Sequence, residues 1–191
     1  MLISNDFEVA QPVSKVWEFF GDIPRVATCL PGAQLTDNLG DDKYGGSVAV
    51  RMGPVRLQFA GTAEITERDE AGKRVVVHAT GAEERGRGQA SMVVTAALTQ
   101  AGSGTKVAVT QDLQLAGAAA QYGRGMISDV TAVLMRDFSA NMASQIAAAE
   151  RGETVQAAAA PAGGLAIGLR AALMALRRVF RRFFVPYQAT S

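Results

Sequence analysis

Between residues 33 and 115 the sequence keeps a two-residue rhythm, broken where turn-forming residues gather at "NLGDD", "MGP", "RDEAGK", "EERGRG" and "QAGSGTK". Apolar residues at every second position share one face of a strand, and the breaks supply hairpins. The region must therefore form an antiparallel sheet with one buried face. The alternation is clearest where Val55, Leu57, Phe59, Ala63 and Ile65 trade places with Arg56, Gln58, Thr62, Glu64 and Thr66, and where Val48, Val50 and Met52 do so with Ser47 and Arg51. Ala90, Met92, Val94, Ala96 and Leu98 extend the inward set, as do Val107, Val109, Leu113 and Leu115. Gln111 interrupts that last row, either as a hydrogen-bonding group for a ligand or as a satisfied core amide.

Upstream, "LISNDFEVA" reads as a first strand, and Pro12 followed by Val13, Val16, Trp17 and Phe20 suits a short helix. "DIPRVATCLPG" reads as a second, with Asp22 as N-cap, Val26, Cys29 and Leu30 on one side, and Pro31-Gly32 as the stop. Downstream, residues 121–150 switch to spacings of three and four, through Met126, Ile127, Val130, Val133, Leu134, Phe138, Met142 and Ile146. One strand, two short helices, six strands and a long helix make an α+β domain over residues 1–150, with the long helix laid across a curved antiparallel sheet. Volume left between them is a candidate ligand cavity. Its expected walls are Val26 and Leu30 from the second short helix, Val50, Met52, Phe59, Val77, Met92, Val94 and Leu113 from the sheet, and Met126, Val130, Leu134 and Phe138 from the long helix. Periodicity alone does not distinguish a lined cavity from a filled core.

The C-terminal part has a different character. "RGETVQAAAAPAGG", residues 151–164, lacks an apolar stripe and reads as a flexible linker spanning about 20 Å r.m.s.. Over residues 165–185, Leu165, Leu169, Leu173, Leu176, Val179, Phe180, Phe183 and Phe184 fall within an arc of about 140° of a helix, while Arg170, Arg177, Arg178, Arg181 and Arg182 take the opposite side. Such a helix would be long enough to span a bilayer core of about 30 Å. Its arginines decide against that, because each costs about 2.5–3.5 kcal/mol near the bilayer centre, whereas near an anionic surface each contributes about 1 kcal/mol. The segment is expected to lie on a membrane surface, the alternative being a partner protein's groove. Residues 186–191 form a polar end.

Charge divides in the same place. Residues 1–153 carry a net −4 and residues 154–191 a net +5. An acidic body lacks the basic footprint that nucleic-acid binding requires, and a basic tail favours an anionic surface. Cys29 is the only cysteine, which excludes an intramolecular disulfide or a cysteine-rich zinc site. "MLISNDFEVA" lacks the basic start and apolar run of a secretory signal, so the expected location is cytoplasmic, peripheral on the inner face of the membrane.

Catalytic candidates are few. His78 is the only histidine, too little for a histidine metal site or a triad, and is read as structural or surface. Cys29 reads as a small packing residue. "GSGTK" at residues 102–106 lacks the earlier glycine of a phosphate-binding loop and reads as a hairpin turn. "YGRGMIS" at residues 122–128 reads as a flexible helix start that gates the cavity. The carboxylate pairs Asp41-Asp42 and Glu83-Glu84 are read as solvated turn residues. No catalytic or metal-ligating residue is therefore expected.

The order of elements, with "FEVAQPVSKVWEFFGDIPRVATCLPGA", Tyr44, "MGPVRLQFAGTAEI", "GSGTKVAVTQDLQLAG" and "AQYGRGMI", resembles the CoxG (carbon monoxide dehydrogenase G-subunit) family of the START-like (SRPBCC), helix-grip superfamily. The resemblance covers residues 2–150. It implies a hydrophobic ligand cavity between sheet and long helix, and association with molybdenum carbon monoxide dehydrogenase, which the family is thought to help recruit to the membrane. It transfers no catalytic residues. The expectation is a membrane-tethered carrier of a lipophilic molecule, a respiratory quinone such as menaquinone or ubiquinone, with no covalent cofactor. The alternatives are a ligand-free recruitment adaptor and an enzyme acting on a lipophilic substrate.

Overall fold

The five turn-rich stretches all fall where one strand gives way to the next. In the computed structural model, which describes residues 1–152, the elements run β1 (Leu2–Val9), α1 (Val13–Gly21), α2 (Ile23–Cys29), β2 (Ala33–Gly40), β3 (Lys43–Met52), β4 (Val55–Asp69), β5 (Arg74–Glu83), β6 (Gly88–Ala101), β7 (Gly104–Gly117) and α3 (Arg124–Glu150). A single 3₁₀ turn at Ala118–Gln121, not expected from the sequence, leads into α3. The linker beyond Gly152, the surface helix expected at residues 165–185 and the polar end lie outside the described residues.

Local chemistry explains the boundaries. Asp22 caps α2 as expected, its carboxylate accepting from the Arg25 N–H at 3.1 Å. The stop at Gly32 is needed twice over: its φ is +81°, and a Cβ there would stand 2.3 Å from the Ala49 carbonyl oxygen. The strands pair antiparallel in the order β1-β7-β6-β5-β4-β3-β2, so the first strand closes against the last. Gly46, Gly61 and Gly81 lie opposite one another across β3, β4 and β5. At Gly61 the neighbouring strand comes so close that a Cβ would sit 1.9 Å from the Thr80 carbonyl oxygen, and this glycine row lets the curved sheet bend.

The long helix rests in the concave side of the sheet, in the helix-grip arrangement, packing on β1, β3 and α2. It is tied to α2 by Asn141 Nδ2 donating to the Cys29 carbonyl at 2.9 Å and Gln145 Nε2 to Thr28 Oγ1 at 2.8 Å. Its buried face runs through Ile127, Thr131, Phe138, Met142 and Ile146. The apolar stripe in the sequence is wider than that face. Met126 and Val133, both expected to point inward, are each 44% exposed, because they lie roughly 100° around the helix from Ile127 and Leu134 respectively.

Candidate ligand-binding site

The inward face carries two separate apolar clusters. The larger joins α1, α2, the Val75, Ala96, Leu98, Val107 and Val109 end of the sheet, and Phe138, Met142 and Ile146 of α3. Phe138 meets Phe7 and Phe20 edge-on, with ring centroids 6.1 and 6.5 Å away. The smaller joins Ile3, Met52, Leu57, Ala119 and Ile127 at the other end. Between them the inward rows of β4 to β6 hold small residues, Gly61, Ala63, Ala79, Gly81 and Ala90, with Met92 beside Ala79.

Exposure distinguishes filled from open space along these rows. Val77, Met92 and Val94 belong to central strands and share the inward parity of the buried Val75, Ala96 and Leu98, yet all three are only half-buried. Adjacent strands cover their flanks, so their accessible area lies on the inner side of the sheet. The middle of the grip is therefore open to molecules at least as large as water, whereas its ends are closed.

The expected cavity residues distribute around this band. Val26, Leu30, Val77 and Val94 pack against the larger cluster, to which Phe138 belongs. Met52 belongs to the smaller cluster, with Phe59, Leu113 and Val130 packed on it. Val50, Met92 and Leu134 are half-buried outside both clusters, and Met126 stands on the exposed shoulder of α3. Two surface depressions involve none of these residues. One, of about 620 Å³, lies on the opposite face of the sheet among Thr62, Thr80, Gln89, Ser91 and Gln114. The other, of about 290 Å³, is polar and lies beside the β3–β4 and β5–β6 turns.

Polar residues punctuate the boundary between the clusters. Gln111 does face inward, between Val94 and Ile3, and is 6% exposed. Asn5, inward on β1, went unnoticed in the sequence although the alternation of Ile3, Phe7 and Val9 places it there; its Nδ2 is enclosed and lacks a hydrogen-bond partner. Buried Thr131 of α3 donates from Oγ1 to the Ile127 carbonyl at 2.8 Å.

Among the described residues, His78 and Cys29 are not brought together. His78 lies on the outer face, exposed, with Ser91 Oγ 3.4 Å from Nε2. Burial of Cys29 pushes its thiol up to about 11, against the lowering effects of Thr28 and Arg25, so it is held as the unreactive thiol. Glu83 departs from the expectation of a solvated turn residue: it continues the inward parity of Val75, Val77, Ala79 and Gly81 and is buried against Arg87. Asp42 is solvated, within 3.8 Å of Arg68. Among the described residues no cluster of His, Cys, Asp and Glu could hold a metal ion, and no helix is long and apolar enough to cross a membrane.

Known structures share this fold at low sequence identity. A conserved protein from Geobacillus kaustophilus is 21% identical with a TM-score of 0.68, covering 77% of this chain and 95% of its own. The Zhui aromatase/cyclase from Streptomyces sp. R1128 is 14% identical with a TM-score of 0.57, covering 79% and 96%. A protein from Thermus thermophilus is 14% identical with a TM-score of 0.56, covering 78% and 99%. No curated protein matches the sequence. The profile of one family matches residues 6–147, nearly the whole of the described domain. The chain belongs to the CoxG family, the G-subunit family of carbon monoxide dehydrogenase.

Proposed function

We propose that this protein is a non-catalytic accessory subunit that carries a lipophilic molecule, a respiratory quinone, between the inner face of the cell membrane and molybdenum carbon monoxide dehydrogenase. The observation that carries the reading is the half-exposed apolar band at Val77, Met92 and Val94, on the inner face of the sheet at the edge of the larger cluster. Family membership supports the partner. The apolar and basic faces of residues 165–185 support the tether.

The chemistry of such a carrier is exclusion of water rather than bond making. A polyisoprenoid chain leaving a bilayer exposes apolar surface at a cost of about 0.8 kcal/mol per CH₂, and an apolar groove offsets that cost. Val26, Leu30, Val50, Phe59, Val77, Met92, Val94, Leu113, Val130 and Leu134 supply such surface, and Met92 can repack around ligands of different shape. Exposed Met126 and Val133 give α3 an apolar shoulder on which a ligand can make its first contact. The exposed His78 and the protonated Cys29 offer no activated base or nucleophile, which favours carriage over turnover.

The test is direct. Full-length protein purified from its native host should release an isoprenoid quinone on solvent extraction, identified by mass spectrometry in near-stoichiometric amount. Repeated preparations empty of isoprenoids and lipids would overturn the carrier reading and leave the ligand-free adaptor.

A further inference from the structure

Four elements change from one apolar cluster to the other; β4 does so through Gly61 and Ala63, and the other three each have a polar residue at the change. On β1, Asn5 separates Ile3 of the smaller cluster from Phe7 beside the larger; on β7, Gln111 separates Leu113 from Val109; on α3, Thr131 stands between Ile127 and Phe138. Chance placement of one polar residue in a core is ordinary. Three at the same boundary define a polar seam across the grip.

Two of these residues have spare hydrogen-bonding capacity. Asn5 Nδ2 is enclosed with no partner, and Gln111, 94% buried, makes no side-chain hydrogen bond to any described residue. Asn5 pairs with Val109 and Ile3 with Gln111, so Asn5 and Gln111 are diagonal neighbours on one face, about 7–8 Å apart and within reach of a common group. Thr131 donates its hydroxyl hydrogen bond to the Ile127 carbonyl and keeps its oxygen lone pairs as acceptors. Buried amides are nearly always paired, and two without a protein partner beside a half-open apolar band imply a partner supplied from outside, which a turn of the Asn5 side chain would let Nδ2 reach.

We infer that this seam is the head-group recognition site of the groove, and that its ligand carries ring oxygens. Asn5 Nδ2 and the Gln111 amide donate to ring carbonyls. When the ring is reduced, the Gln111 carbonyl and Thr131 Oγ1 accept from its hydroxyls, so the same residues hold both redox forms without moving a proton onto the protein. The inference rests on the carrier reading and adds the position and chemistry of the head group.

The experiment compares two probes presented to the full chain from the same detergent micelles: decylubiquinone, and decylbenzene, which keeps a ring and the alkyl chain but lacks oxygen. Gln111→Met and Asn5→Leu should each weaken decylubiquinone binding about tenfold, the loss expected when one buried hydrogen bond goes. Decylbenzene binding should stay the same or tighten. Because no hydrogen bond within the protein is lost, the melting temperature of ligand-free Gln111→Met should not fall, and Asn5→Leu provides an independent reading at the same seam. Unchanged decylubiquinone binding, or equal weakening for both probes, overturns the head-group assignment while the apolar groove stands. Failure of the unsubstituted protein to bind either probe overturns the groove itself and this inference with it.

Discussion

Arg87 holds Glu83 through three of its nitrogens: the backbone N–H at 3.2 Å, Nε at 3.3 Å and Nη2 at 2.8 Å. The Arg85 N–H adds a fourth bond at 3.0 Å. These donors, the Arg87 side chain foremost, hold the Glu83 carboxyl down at about 2 from its ordinary 4.5. The folded state thus binds this proton less readily than the unfolded chain. The stabilisation is present above pH 4.5 and is lost as pH falls toward 2. Glu83→Gln should lower the melting temperature at pH 7, and its deficit relative to the unsubstituted protein should shrink across that interval. Thermal melts at half-unit pH steps check this, and a deficit constant from pH 6 to 2.5 contradicts it.

The bend at Gly61 gives a second expectation. A Cβ there would lie 1.9 Å from the Thr80 carbonyl oxygen and 2.6 Å from Gly81 Cα, both backbone atoms of a paired strand that cannot swing aside as a side chain would. Gly61→Ala should cost roughly 3 kcal/mol, at the upper end for overpacking. Gly123→Ala, where nothing lies within 4 Å, should stay within about 0.5 kcal/mol. Urea denaturation measures both, and equal effects would contradict the account.

Cys29 is fully buried, and desolvation raises its thiol from 9.0 to about 11. At pH 8 the native thiolate fraction is therefore about a hundredfold below that of the unfolded chain. Iodoacetamide should label Cys29 at least that much more slowly in native protein than in guanidinium, as followed by intact-mass spectrometry. Comparable rates in the two states would show that the thiol is an accessible nucleophile and would revive the enzyme reading.

The hairpins from β2 to β7 were legible because turn chemistry is local: each of the five polar, glycine-bearing stretches sits at a junction between strands, whereas no turn announces the pairing of β1 with β7. Facing was legible where an alternation was followed to its end. Glu83 was misread because "EERGRG" looks like a turn, although the parity running from Val75 already assigned its first residue to the interior. Asn5 was missed for a related reason, since an asparagine beside Asp6 looks solvated until Phe7 and Val9 set the inward parity. The face of α3 was legible only in part: Ile127, Phe138, Met142 and Ile146 are buried as the stripe predicts, whereas Met126 and Val133 at its edge are exposed. An apolar stripe says which residues can be buried, and contact with β1 and α2 decides that Ile127 is and Met126 is not. The open band is likewise a tertiary property. A valine that fills a core and one that lines a groove have the same period: Val75 is buried and Val77, two residues on with the same parity, is half-buried.

Carrier and adaptor differ in what the proposed membrane tether would accomplish. The arginines at residues 177, 178, 181 and 182 should each contribute about 1 kcal/mol on an anionic surface. Arg178→Glu with Arg181→Glu should therefore weaken binding to vesicles containing phosphatidylglycerol by more than tenfold, and raising salt should weaken the unsubstituted protein as well. Replacing residues 154–191 with an unrelated membrane anchor should then restore carbon monoxide-dependent respiration in a deletion strain, because location has been returned and the groove is untouched. Adding Phe59→Trp to that anchored protein separates the two readings. Phe59 is half-buried beside the smaller cluster, where a larger ring intrudes on the open band. A carrier with its groove obstructed should remain folded and at the membrane yet lose electron delivery, whereas an adaptor should work as before. Full respiration from the anchored Phe59→Trp protein, with quinone absent from its extract, would establish that recruitment alone is the function.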